Sequence, residues 1–238
     1  MPLPVISTPT YELYLPVTGK KIKYRPFLVK EEKILIIAME SEDEKQIGRA
    51  VKDVLSNCIL TRGVKVDKLP TFEIEYLFLH VRGKSVGESV DLLITCPDDE
   101  QTQVPIGIDL DDIQIEVVNE HNRDIVLDDN YTMRMKYPSL DQFIKSNFNQ
   151  TDVSVDETFD LISGCIEQVF SEDEAWSASD CTKKELFSFL EQLNSKQFQA
   201  VEKFFETMPK LSHSVKVKNP NTGVENDVVL EGLASFFG

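Results

Sequence analysis

The sequence has no apolar run approaching the roughly 18 to 20 residues that a helix needs to cross a bilayer. Its first residues, Met1-Pro2-Leu3-Pro4, lack the charged start and the long apolar stretch of a secretory signal. These two absences predict a soluble chain made in a cytoplasm. Cysteine is sparse: Cys58, Cys96, Cys165 and Cys181 lie far apart in sequence and read as free thiols in a reducing compartment. Cations are outnumbered, giving a net charge of -16. That balance argues against generic nucleic-acid binding, which relies on Lys and Arg to neutralise phosphates.

Catalytic patterns are missing as well. His80, His121 and His213 show no HExxH spacing, and no serine occupies a nucleophile elbow. Thr18-Gly19-Lys20 resembles the end of a phosphate loop, but Tyr14 stands where that loop needs glycine and Lys21 where it needs Ser or Thr. Asp109, Asp111 and Asp112 lack the alternation and central glycine of a calcium loop. Two turns, Cys96-Pro97-Asp98-Asp99-Glu100 and Asn219-Pro220-Asn221-Thr222-Gly223, look like degenerate Cys-Pro-x-Cys-Gly zinc knuckles. One thiolate cannot close a tetrahedral site, so no metal is expected there, although the two hairpins can still pair without one. The sequence thus offers no catalytic residue, cofactor site, metal site or small-molecule substrate site.

What is present is apolar surface in a particular order. Of the 238 residues, 41% are hydrophobic, enough to bury a sizeable core. Tyr11, Leu13 and Leu15 alternate with polar neighbours, Thr18-Gly19 breaks the run, and Ile22 and Tyr24 resume it against Lys21 and Lys23. This predicts a short hairpin with its apolar face inward. After Pro26 a helix begins near Val29, with Glu31 and Glu32 in its first turn, where the helix dipole favours carboxylates. Its continuation, Ile34-Leu35-Ile36-Ile37-Ala38-Met39, is apolar on every side and calls for cover from other elements or from another chain. A second helix carries one stripe, Ile47, Ala50, Val51, Val54, Leu55 and Cys58. A third starts near Pro70 and spreads Phe72, Ile74, Tyr76, Leu77, Phe78, Leu79 and Val81 beyond a single face.

Beyond Ser85 the period shortens. Strands are predicted over Val90 to Thr95, Val104 to Ile108, Ile113 to Val118 and Tyr131 to Tyr137, an antiparallel sheet with acidic turns. Helices return after Pro138: Ser154 with Glu157 suggests a capping box ahead of Phe159, Ile162, Ile166, Val169 and Phe170. Thr182 with Glu185 suggests another, and Asn194 or Ser195 caps a helix bearing Phe198, Val201, Phe204, Phe205 and Met208 until Pro209. A final hairpin runs from Val215-Val217 through Asn219–Gly223 to Val228–Leu230. Phe236 and Phe237 at the very end either fold back or dock into a neighbour. The predicted fold is α+β: helical segments flanking a central antiparallel sheet, with small hairpins near both termini. The regions are 1–88, 89–137 and 138–238, or one continuous domain.

Charge is uneven. Lys20, Lys21, Lys23, Arg25, Lys30 and Lys33 cluster early, whereas Asp98 to Asp129 is dominated by acids with Arg123 as its one cation. Such asymmetry can orient a molecule against a partner, or simply solvate two faces.

The string TGKKIKYRPFLVKEEK, then Ile74-Glu75-Tyr76-Leu77-Phe78-Leu79-His80-Val81-Arg82-Gly83-Lys84-Ser85-Val86-Gly87-Glu88, and last Leu230-Glu231-Gly232-Leu233-Ala234-Ser235-Phe236-Phe237, resembles the baseplate hub protein family of T-even-type contractile-tailed bacteriophages, including those of cyanobacteria. The resemblance covers most of the chain. It implies a non-enzymatic role in forming the hub of the tail baseplate, with other hub or tail proteins as partners; the net charge and the lack of a long apolar run argue against nucleic acid and membrane as partners. The location is the virion tail, or the host cytoplasm during assembly. A stoichiometric component and a transient assembly chaperone are both compatible with it. An infection-stage enzyme would need a cleft with a titratable pair, and a nucleic-acid mimic would need its carboxylates ordered on one face. The contact candidates are Lys20, Lys21, Lys23, Tyr24, Arg25, Phe27, Phe236 and Phe237, with aromatics and Arg as anchors and lysines as rim. Tyr24 and Phe27 equally suit closure of the chain's own core. Reversing the charge of Lys23 and Arg25 together is expected to leave the isolated protein folded but to weaken complex formation.

Overall fold

The computed structural model describes residues 6–41, 43–140, 142, 155–232 and 235. Among these, six α-helices and eleven strands in four small antiparallel sheets make a mixed α+β protein, as the sequence predicts. The chain forms two compact units, Met1–Glu116 with Lys210–Gly238, and Val117–Pro209.

The first unit opens with β1 (Tyr11–Tyr14) and β2 (Lys21–Tyr24), an antiparallel pair in which Leu13 faces Ile22 and Glu12 faces Lys23. Alternation does what it predicts: Leu15, Ile22 and Tyr24 are buried, while Tyr14, Lys21 and Lys23 face solvent. Gly19 turns the chain with φ +65, a backbone that side chains resist. The turn is also pinned from below. Glu73, fully buried, accepts hydrogen bonds from the Thr18 N–H (2.7 Å) and from Thr18 Oγ1 (2.9 Å).

Glu73 belongs to α3 (Thr71–Val86), which follows α1 (Val29–Glu40) and α2 (Glu44–Cys58). On α3, Phe72, Ile74, Tyr76, Leu77, Phe78, Leu79 and Val81 are all buried, so the apolar surround seen in sequence is covered on each side. Helix α2 buries one stripe, Ala50, Val51, Val54, Leu55 and Cys58, and packs against α1. Burying each such large side chain contributes about 1.5–3 kcal/mol. A hairpin of β3 (Ser89–Thr95) and β4 (Gln103–Asp109) follows, burying Val90, Leu92, Ile94 and Ile108.

The mid-chain strands are distributed among three sheets. β5 (Gln114–Glu116) joins the late hairpin β10 (Lys210–Lys218) and β11 (Glu225–Glu231) in the order β11-β10-β5, with Ile115 opposite Leu211. β6 (Asp124–Val126) and β7 (Thr132–Met135) pair instead with β8 (Ile166–Phe170) and β9 (Ala175–Ser177) in the second unit.

Strand β8 corrects the sequence reading, which placed Ile166, Val169 and Phe170 on a helix. That helix, α4 (Val155–Cys165), stops one residue earlier, and Thr132, Met133 and Arg134 pair with Phe170, Val169 and Gln168. Ile166 and Val169 both face the core, opposite Met135 and Met133, because the ladder shifts register between Arg134 and Met135; a spacing that reads as helical is thus met by an irregular strand. Ser154 of the predicted capping box lies outside the described residues, as do Phe236 and Phe237.

The other caps form as predicted. Thr182 Oγ1 accepts from the Glu185 N–H and Glu185 accepts in return at the start of α5 (Lys183–Leu190). Asn194 accepts from the Lys196 and Gln197 N–H groups at the start of α6 (Ser195–Thr207). These helices cover the inner sheet face with Leu190, Val201 and Phe204, against Ile125, Met133 and Ile166.

Candidate docking surface

Helix α1 is built from a cap that its own sequence only half supplies. Leu28, at the N-cap, has no side-chain acceptor, but Glu31 reaches back to take the Leu28 N–H at 2.8 Å. The same carboxylate takes Arg25 Nη2 at 2.9 Å and lies 3.4 Å from Lys30 Nζ. Burial acts to raise the Glu31 pKa, but the bonds from Arg25 and the Leu28 backbone outweigh it and hold the group below its ordinary value. The hydrogen bond to Glu31 in turn raises the Arg25 pKa. The backbone N–H of Arg25 donates to Cys58 O (3.0 Å), so β2, α1 and α2 meet at one ion pair. Ser41 Oγ closes the other end of the helix by donating to Ala38 O (2.6 Å).

Seated this way, α1 buries Glu31, Leu35 and Ala38 and turns the rest outward. Val29 is 79% exposed, Ile34 42%, Ile36 50%, Ile37 56% and Met39 38%. Val29, Lys33, Ile36 and Ile37 fall at i, i+4, i+7 and i+8, one stripe of the helix, with Lys30 and Ile34 beside it. Scattered exposed aliphatics are ordinary, but a row of them on one helix face marks an interaction surface. Lys30 and Lys33 are exposed on this face.

The candidates from the sequence divide. Lys20, Lys21 and Lys23 are exposed on the hairpin. Lys21 pairs with Glu12 at 2.8 Å and lies over the Tyr14 ring, and the hydrogen bond to Glu12 raises the Lys21 pKa. Tyr24 and Phe27 are buried in the chain's own core; the Tyr24 ring lies 5.8 Å from that of Tyr11, and the Phe27 N–H donates to Ser85 Oγ at 2.9 Å. Arg25 is engaged internally, so reversing its charge strikes the fold as well as any partner. This changes the expectation for the Lys23 and Arg25 double reversal. The outward face of α1 was legible as an all-round apolar helix, but not which side would be bare.

The two knuckle-like turns do meet. Asp98 accepts from Asn219 Nδ2 (3.1 Å to each oxygen), from Asn226 Nδ2 (2.9 Å) and from Thr222 Oγ1, while Asn221 Nδ2 donates to Thr102 Oγ1 (2.9 Å). The bonds from Thr222, Asn219 and Asn226 hold the Asp98 pKa below its ordinary value. Both turns share their geometry: the Glu100 N–H donates to Cys96 O and the Gly223 N–H to Asn219 O, each at 2.9 Å, with Glu100 at φ 55 and Gly223 at φ 77. Cys96 is buried beside Asp98 and Asp99, and burial raises its pKa first of all. Among the described residues no group of three or more His, Cys, Asp or Glu is placed to hold a metal.

An open depression of about 510 Å³ in the second unit is lined by Asp156, Glu157, Asp160, Lys183, Lys184 and Phe187, with Lys183 paired to Asp160. Among the described residues its lining includes no histidine, cysteine or serine. No helix among the described residues is long and apolar enough to cross a membrane. All four cysteines are free, and burial pushes the Cys58 thiol up to about 11 and the Cys165 thiol up to about 12.

Comparison with known proteins adds what geometry alone does not. The family described as T4 bacteriophage base plate protein matches residues 8–238. The chain belongs to that family. No curated protein and no solved structure matches it. A base plate protein associates with other phage tail proteins, and the bare stripe on α1 of this one is a surface suited to such association.

Proposed function

We propose that this base plate protein works in the tail baseplate hub, through protein–protein contacts and without a reaction to catalyse. Its partners are other hub or tail proteins of the phage. The observation that carries the reading is the exposed aliphatic stripe of α1, Val29, Ile34, Ile36 and Ile37, set among Lys30 and Lys33. Lys20, Lys21 and Lys23 of the hairpin supply a cationic rim, which steers encounter more than it adds affinity. The chain end at Phe236 and Phe237 is a second proposed contact.

Co-expression with the phage's other tail proteins, followed by affinity capture, tests this. Ile36→Asp with Ile37→Asp keeps the isolated chain folded, because both side chains are solvent-exposed, and abolishes capture. Capture unchanged by that variant removes α1 from the interface. Mass spectrometry of purified particles then separates a stoichiometric component, which is present, from an assembly chaperone, which is absent.

A further inference from the structure

The β3–β4 hairpin has a second face. Its inner side is core, whereas Asp91, Leu93, Gln103, Pro105, Gly107 and Asp109 point to solvent. Leu93, 67% exposed, lies directly opposite Pro105, and Asp91 lies opposite Gly107. A Cβ at Gly107 would stand 3.3 Å from Asp91 Oδ1, so that carboxylate lies close over the glycine on the neighbouring strand. The result is an apolar centre with Asp91 and Asp109 toward one end; at the other, Asp98 is held by Asn219, Thr222 and Asn226 and Glu100 is exposed.

This strip complements α1 in both size and sign. A helix of 12 residues is about 18 Å long, and strands of 7 residues span about 23 Å. Aliphatics with lysines on one surface face a leucine and a proline with carboxylates on the other. The chain carries both surfaces in the same compact unit.

We propose that the outward face of α1 in one copy packs on the outer face of the β3–β4 hairpin of a second copy of this chain. Lys30 and Lys33 meet the carboxylates, and Ile36 and Ile37 cover Leu93 and Pro105. The two surfaces differ, so the contact is head-to-tail: every copy offers one of each, and repetition closes a ring or extends a filament. The inference rests on reading α1 as a docking face and names what docks there.

The test is sedimentation of the purified full chain over a range of concentrations at about 50 mM and about 500 mM salt, since exposed charges are screened at the higher value. The expected result is self-association that weakens at high salt. Lys30→Glu with Lys33→Glu weakens association by about tenfold or more, as does Asp91→Lys with Leu93→Lys. Mixing the two variants restores it, because each then meets an oppositely charged surface. A chain that stays monomeric throughout, or a mixture that fails to associate, overturns the second copy as occupant. If the α1 variant still loses capture by tail proteins in that event, the hub reading stands and only the self-contact falls. Self-association indifferent to both variants overturns the proposal as well.

Discussion

Helices α1 and α3 look alike in sequence, each apolar well beyond a single stripe, yet the protein treats them oppositely. Helix α3 is enclosed on all sides, with Leu77, Phe78 and Val81 fully buried. Helix α1 is enclosed on one side by Leu35 and Ala38 and bare on the other. Apolar content alone therefore says that a helix needs cover, and only the fold says whether the chain supplies it. Where α3 commits its apolar surface to the core, α1 leaves one side bare, as the proposed docking face requires.

Substitution is the direct way to break this contrast. Phe78→Ala on α3 is expected to destabilise by about 3–5 kcal/mol, whereas Ile37→Ala on α1 stays within about 0.5 kcal/mol; urea unfolding of the isolated chain measures both. Equal losses would mean that α1 is covered in the free protein. Next in size is Arg25→Ala, which strands a buried Glu31 and is expected to cost about 3 kcal/mol. Calorimetry of that variant beside Lys23→Glu separates a residue that holds the fold from one that lines its surface, since Lys23 should leave the melting temperature almost unmoved.

Acid sharpens the comparison, because each helix carries its own titrating group. His80 on α3 is partly buried, which lowers its pKa from 6.5 against the opposing pull of Asp111, 3.6 Å away. A depressed histidine stabilises fully above 6.5 and loses that contribution as pH falls through its folded value. Glu31 on α1 is depressed from 4.5, so its contribution persists above that value and disappears below it. Unfolding midpoints should therefore decline in two stages. His121 is lowered by burial too, in the second unit, so His80→Gln should diminish the first stage without removing it, and Glu31→Gln should flatten the second. Between Arg25→Ala and the near-silent surface variants lies Asp98→Ala, which frees Asn219, Thr222 and Asn226. Its loss of stability should be less than that of Arg25→Ala, with hydrogen exchange quickened at the two turns.

Local pattern made much of this fold legible. The alternation around Gly19, the stripe of α2, the capping pair Thr182–Glu185 and a cap at Asn194 or Ser195, which falls to Asn194, are short-range signals that formed as read. Long-range pairing was not legible. Nothing near Ile115 announces Leu211 as its neighbour, and Ile166 to Phe170 became a strand because β7 was there to pair with it. The candidate docking surface was half visible. Arg25 stood out as a cation and Glu31 as a first-turn carboxylate, but their union under the surface, and the burial of Glu73 beneath Thr18, depend on how separate elements converge.

The ion pair at the start of α1 has a kinetic meaning. With its first turn tied to β2 and its far end closed by Ser41, the helix is ordered before any partner arrives. A rigid face forfeits little conformational freedom on capture, so recognition should proceed as the collision of preformed shapes, its pace set by orientation and not by a segment that has first to fold.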